Sequence, residues 1–296
     1  MTKHIVVRAA DRTYETPAAY AGHSDGYRRA TLVDDRGPSV HSALGIGELD
    51  PGGHIDWHFR DAEESIYMLS GEVVCETDEG AFLLRPGDYA LFPVSSGRSF
   101  RNVGGETVRW CDLSAPLGRF GADRDVFFVD GPAEREPVPL DVRDPRTRSF
   151  GHIDAENMDP ALQTQDRLAL SASMRTALLV YSGISVKMMI DHDMGAALTT
   201  MFMVQYVPGG FAGAHDHPLE EGYLILEGVT DAVFDGIEYR LEPGDFAFAG
   251  VGSTHSFTNP GPGPVRWLET QSPQPPSRHS YRFARDWEYL EKKLEG

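Results

Sequence analysis

With two cysteines in 296 residues, and no second cysteine close to either, the chain has no thiol-based metal or redox motif. Cys75 and Cys111 are expected as small, buried, reduced core residues, a disulfide between them being the alternative. Long apolar runs are also missing, and nothing approaches the ~20 residues of a membrane span. The first residues, MTKHIVVRAADRTYE, contain no apolar core of the roughly 7–15 residues that an export signal carries. Positive charge is scarce, with 27 Lys+Arg against 45 Asp+Glu for a net charge of −18. That balance disfavours nucleic-acid backbones and anionic membrane surfaces, both of which are bound through Lys and Arg. The expectation is a cytoplasmic protein with a small-molecule substrate, no nucleic-acid partner and no membrane partner.

Glycine and proline, by contrast, are plentiful at 31 and 20 residues, which suits many short strands and tight turns. Self-similarity then divides the chain. Residues 51–110 align with 208–267 at a constant offset of 157, with 23 of 60 positions identical and no gap. Pro51-Gly52-Gly53 matches Pro208-Gly209-Gly210, Pro86-Gly87-Asp88 matches Pro243-Gly244-Asp245, and Val108-Arg109-Trp110 matches Val265-Arg266-Trp267. This is a duplicated domain. In the second copy, TTMFMVQY (199–206), GYLILEG (222–228), TDAVFDG (230–236), DFAFAG (245–250) and PVRWLET (264–270) read as strands, which predicts a sandwich or jelly-roll barrel. Residues 155–180 have a helical tendency. After the Pro-rich SPQPPS (272–277), Phe283, Trp287, Leu290 and Leu294 recur at helical spacing. The expected division is an N-terminal barrel over 1–130, a linker over 131–185, a C-terminal barrel over 186–272, and a connector with a helix over 273–296.

The second copy carries a candidate metal site. In AHDHPLEEGYLILEG (214–228), His215 and His217 stand two apart, so on a strand both imidazoles address one point. Glu221 follows four residues later, and GDFAFAGVGSTHSFTN (244–259) offers His255 from another strand. Three imidazoles and a carboxylate suit one borderline divalent ion per chain, Fe, Mn, Ni, Co or Zn. Taken alone, a His-x-His pair is a common surface feature, and Glu220-Glu221 reads equally as a solvated charged pair.

The run Gly, His-x-His, three residues, Glu, six residues, Gly resembles the first motif of the cupin family, and Gly244-Asp245 through His255 and Asn259 resembles the second. The resemblance covers both repeats and implies an all-β bicupin, two tandem jelly-roll barrels with a helical linker and a C-terminal helix. It implies metal ligation by His215, His217, Glu221 and His255. Gly250 departs from the second motif, which usually has Pro there. Swapped N-terminal strands, common in bicupins, make KHIVVRA (3–9) a candidate arm and a homodimer the expected assembly.

The same offset places His58, Arg60, Glu64 and Arg98 at the ligand positions of the first copy. Guanidiniums have no lone pair for a cation, so this barrel has lost its metal. It is expected either as a salt-bridged scaffold or as an anion pocket to which His54, Trp57 and His58 contribute. In the second barrel, strand parity puts Tyr223 and Ile225 on the Glu221 face and Phe257 and Asn259 on the His255 face. Tyr223 and Glu221 are the expected catalytic residues. Met201, Met203 and Phe211 are expected in the lining or the core. Cupins include dioxygenases, decarboxylases, isomerases, lyases and hydrolases. The expectation drawn here is an oxygenase-type oxidoreductase on a small enolizable or phenolic compound. A redox-neutral hydrolase, lyase or isomerase is the alternative, since the layout is similar to (S)-ureidoglycine aminohydrolase although the ligand set differs. A non-catalytic metabolite-binding cupin is the third reading.

Overall fold

The structure is a computed structural model and describes residues 2–118, 125–141, 143–159, 175–179, 183–275 and 282–283. Strands dominate it, as the Gly/Pro punctuation predicts. The first repeat is one wrapped sheet of eleven strands built on Ala43–Arg60. The first half of that strand pairs with Val108–Ala115 and its second half with Arg98–Arg101, so the chain turns a corner at Pro51-Gly52-Gly53. In the second repeat the same Pro-Gly-Gly separates Thr200–Tyr206 from Phe211–Asp216. A Cβ on Gly53 would meet Asp25 O at 2.7 Å, and one on Gly210 would meet two carbonyls at 2.9 Å, so only glycine fits either corner.

The second repeat closes from two sheets. A seven-stranded sheet runs in the order His4–Val7, Phe246–Ala249, Glu220–Glu227, Val265–Ser272, Thr200–Tyr206, Ile184–Ile190, Arg175–Leu179. Facing it, a five-stranded sheet runs Ile237–Leu241, Thr230–Phe234, His255–Thr258, Phe211–Asp216, Arg282–Phe283. Within the helical stretch expected over 155–180, Ala155–Met158 is a single 3-10 turn and Arg175–Leu179 is a strand, because pairing with Ile184–Ile190 overrides the local propensity. Residues 160–174 lie outside the described residues. The C-terminal helix lies outside them too, save Phe283, which pairs as a strand with His215. None of the described helices is long and apolar enough to cross a membrane.

Both faces of the larger sheet are apolar, because it is buried twice. Phe202, Val204, Tyr223, Ile225, Ala247 and Trp267 pack inside their own barrel. The alternating Met201, Met203, Leu224, Phe246, Phe248 and Leu268 pack against Leu44, Ile46, Leu91, Cys111 and Leu113 of the first barrel. Met201 and Met203 are therefore core between the barrels. Cys75 and Cys111 are buried free thiols that lie in different core clusters.

Two exchanges tie the barrels together. The segment ahead of each repeat adds an edge strand to the other repeat: His4–Val7 pairs with Phe246–Ala249, and Phe150–His152 pairs with Asp88–Ala90. The N-terminal arm thus exchanges inside its own chain. In addition, Glu63 accepts hydrogen bonds from the main-chain N–H groups of Ala197 (2.6 Å) and Thr199 (2.9 Å) and from the Thr199 hydroxyl (2.6 Å). Its counterpart Glu220 accepts from Val40 N (2.5 Å), Ser39 Oγ (2.8 Å) and Ser42 Oγ (3.0 Å). Glu220, one alternative reading of which was a solvated charge, is an inter-barrel anchor.

Candidate metal centre

The site forms where the two sheets of the second barrel meet. His215 is the penultimate residue of the strand Phe211–Asp216, and its Cα partner across the ladder is His255. His217 follows just past the strand, and Glu221 and Tyr223 rise from Glu220–Glu227 in the opposite sheet. The ligating atoms of His215, His217 and His255 all lie within 4.8 Å of one another. Glu221 Oε2 lies 2.7 Å from His217 Nε2 and 3.3 Å from His255 Nε2.

Main-chain carbonyls orient the rings. His215 Nδ1 meets Gly213 O at 2.7 Å, His217 Nδ1 meets Leu219 O at 2.9 Å, and His255 Nδ1 meets Ser253 O at 3.0 Å. A carbonyl only accepts, so each Nδ1 carries the proton and each Nε2 turns a lone pair toward the others. Lone pairs converging on a carboxylate repel unless a cation stands among them. A divalent transition metal fits this donor set. Burial, then the neighbouring His255, pushes His215 down to about 4, which keeps it neutral as a ligand must be. Burial opposes ionised Glu221, but the facing His217 and His255 rings hold it well below the usual carboxylate range. His217 is disfavoured as a cation by burial, yet the facing Glu221 carboxylate outweighs this and raises it.

Further groups complete the surround. Tyr223, 1% exposed, donates its hydroxyl proton to Glu221 Oε2 and lies 3.0 Å from His255 Nε2. Gln271 Nε2 donates to Glu221 Oε1 at 2.6 Å, and Thr200 donates to Gln271 Oε1 at 3.1 Å. Trp267 Nε1 donates to Glu269 Oε2 at 2.9 Å. Burial, then the charge of Glu221, raises Glu269 well above the usual carboxylate range. Gln271 and Glu269 were not apparent from the sequence. Gln271 is placed by the register of Glu220–Glu227 against Val265–Ser272, where Glu221 faces Gln271 across the ladder. Asn259 does not face the site, because its amide is spent on Tyr206 O, Val207 O and Gly263 O.

The first barrel keeps His58 and Glu64 at two of the four corresponding positions and has arginines at the other two. Arg60 donates to Glu64 at 2.7 Å and to Asp125, and Arg98 donates to Glu64 and to Ser96 O. Two guanidiniums thus face two carboxylates, leaving no net charge to attract an anion, and the arrangement favours the scaffold reading. Despite burial, Arg98 and Arg60 hold Glu64 at about 2. His54 is half exposed and Trp57 packs over Gly97 and Gly131, so neither joins the arginines.

Comparison with known proteins agrees with this layout. The cupin domain family model matches residues 45–114 and again 202–270. Among curated proteins, the polyketide synthase CurC of Streptomyces cyaneus is 31% identical over 75 residues, 25% of this chain and 49% of that protein, so the match spans about half its length. Among solved structures, a putative glyoxylate-induced protein of Pseudomonas aeruginosa superposes with a TM-score of 0.65 at 18% identity, covering 94% of this chain and 90% of that one. The oxalate decarboxylase of Lactobacillus farciminis, as its formate complex, gives 0.62 at 16% identity over 99% and 94%. A deletion mutant of the Bacillus subtilis oxalate decarboxylase gives 0.60 at 15% identity over 99% and 84%. At such identities these structural likenesses speak for the fold.

Proposed function

The chain belongs to the cupin superfamily as a bicupin, and we propose that its second barrel is a mononuclear metal enzyme, an oxygenase-type oxidoreductase for a small enolizable or phenolic compound. The observation that carries this reading is the convergence of three Nε2 lone pairs and one carboxylate in that barrel alone. His215, His217, His255 and Glu221 would hold the ion. When bound, it would supply Lewis acidity or a redox couple.

The protein's own groups fix protons and charge around that point. Gln271 occupies Glu221 Oε1 and so directs Oε2 inward. Tyr223 holds a proton against Oε2 and is the group placed to exchange it with a substrate hydroxyl. Phe234, Phe257 and Trp267 exclude water beneath. Among the described residues, the buried Lys or Arg side chains are Arg60 and Arg98, both in the first barrel. With two buried carboxyl groups and no buried guanidinium or ammonium beside them, the second barrel is poorly suited to a bare dianion such as oxalate. A neutral phenol or enol, which gives up its proton on binding, suits it better. The relative named as a polyketide synthase supports the same class, since polyketides are chains of enolizable ketones.

Redox-neutral hydrolase, lyase or isomerase chemistry on the same ion is the second reading, and Glu269 favours it as a second buried carboxyl beside Glu221, pushed up by burial and by the Glu221 charge. Metal analysis of the purified protein, followed by oxygen-electrode screening with phenols and β-diketones, tests the proposal. Iron or manganese with substrate-dependent O₂ uptake is expected. Tight zinc without O₂ uptake overturns the oxygenase, and a bound metabolite without turnover leaves a binding cupin.

A further inference from the structure

We propose that the N-terminal arm supports the metal centre through Lys3 and His4, with His4 and Asp235 as positioning residues that set His255 through the 250–254 loop. This rests on the metal reading of the second barrel.

The loop over 250–254 joins Phe246–Ala249 to His255 and contains two glycines, so its own backbone gives it little stiffness. It nevertheless contacts two of the histidines, His255 at its ring and His217 at its main chain. Ser253 O accepts from His255 Nδ1 at 3.0 Å, and Gly252 N donates to His217 O at 3.0 Å. The loop is held from outside. Lys3 O accepts from Gly250 N at 2.7 Å, and Lys3 Nζ donates to Gly252 O at 3.0 Å. His4, 5% exposed, spans two partners, with Nδ1 3.0 Å from Asp235 Oδ2 and Nε2 3.0 Å from the Tyr239 hydroxyl. Asp235 then reaches the loop three times. Its carboxylate accepts from Ser253 Oγ (3.1 Å) and Thr254 N (3.0 Å), and its N–H donates to Thr254 O (2.7 Å). The chain of contacts from His4 to Asp235 to Ser253 to His255 is continuous.

Two further features agree. Asp235 at φ 50° and Gly236 at φ 84° are the two central residues of the tight hairpin joining Phe234 to Ile237, a turn that fixes where Asp235 stands. Gly250 is where the chain departs from the cupin motif, and the arm supplies the reason. Proline has no N–H to give Lys3 O, and a Cβ at this position would approach that oxygen to 2.7 Å. The first repeat, where the exchanged segment's contacts run to Leu91, whose N–H donates to Ser149 O at 2.8 Å, keeps Pro93 at the matching place.

The test is a Co²⁺ titration of the full chain, reading dissociation constant and visible d–d bands for wild type, His4→Ala, His4→Asn, Gly250→Ala and Ile5→Ala. His4→Ala and Gly250→Ala are expected to weaken Co²⁺ by about tenfold, the lower end for groups that orient a ligand, and to shift the bands. His4→Asn, which keeps a donor toward Asp235, is expected to recover both. Ile5 lies on the same strand but packs in the inter-barrel core, so Ile5→Ala lowers thermal stability and leaves affinity and bands in place. Unchanged affinity and bands in His4→Ala and Gly250→Ala overturn the proposal, as does an Ile5→Ala shift equal to theirs. Failure of wild type to bind Co²⁺ at all overturns instead the metal reading on which it rests.

Discussion

Glu64 and Glu221 occupy the same place in the two barrels, 157 residues apart, and each is a buried carboxylate that requires a cation. Glu64 receives its cations covalently, as the guanidiniums of Arg60 and Arg98. Glu221 faces imidazole nitrogens and Tyr223, an arrangement that leaves the cation to be recruited from solution. Between the two repeats, arginine against histidine at two positions thus exchanges a candidate metal site for a salt bridge around the same carboxylate.

His217→Ala is expected to drop metal content from one ion per chain to almost none, with far-UV circular dichroism unchanged. Elemental analysis of the two proteins side by side decides this, and full occupancy in the variant refutes the ligand assignment.

The Arg60→His, Arg98→His double substitution restores an imidazole at both degenerate positions beside His58 and Glu64. It is expected to raise metal stoichiometry from one to two per chain. A stoichiometry that stays at one means that Asp125 and the packed walls exclude the ion. Arg98→Met alone leaves Glu64 buried with a single partner and is expected to cost about 3–5 kcal/mol in urea unfolding, with the second barrel's metal retained.

Glu63→Ala and Glu220→Ala each strip acceptors from a set of buried main-chain donors at the seam. Each is expected to cost about 3 kcal/mol, and by about the same amount because the clamps are equivalent. Equal denaturation midpoints for Glu63→Ala and wild type would show that the seam is held by its apolar core alone.

Acid should weaken the first barrel in two stages. Burial, then the Arg98 charge, holds His58 down at about 3, against about 6.5 in an unfolded chain. Between those values the unfolded state binds a proton that the folded state refuses. Stability therefore falls as pH drops through this window, by up to about 1.4 kcal/mol per unit. Glu64, held at about 2, adds its own loss once pH falls below about 4.5. Urea midpoints from pH 7 to 4 should fall less steeply in His58→Phe than in wild type, and identical slopes would exclude this role for His58.

The sequence alone determined the duplication, the strand-dominated architecture and the four residues of the candidate metal site. These are local properties: His215, His217 and Glu221 fall within seven positions, and the Pro-Gly-Gly and Pro-Gly-Asp turns fix register on their own. Tertiary structure decided whatever depends on which strand lies beside which. Gln271 reaches Glu221 only through the pairing of two strands 50 residues apart. Met201 and Met203 face the other barrel, which parity cannot tell when both faces of a sheet are apolar. Glu220 became an anchor, and the arm at His4–Val7 was committed to the barrel at the far end of the chain. Scarce positive charge disfavoured nucleic-acid backbones and anionic membranes as expected partners from the outset. The only two deeply buried arginines among the described residues acquired their meaning from the carboxylates that folding placed against them.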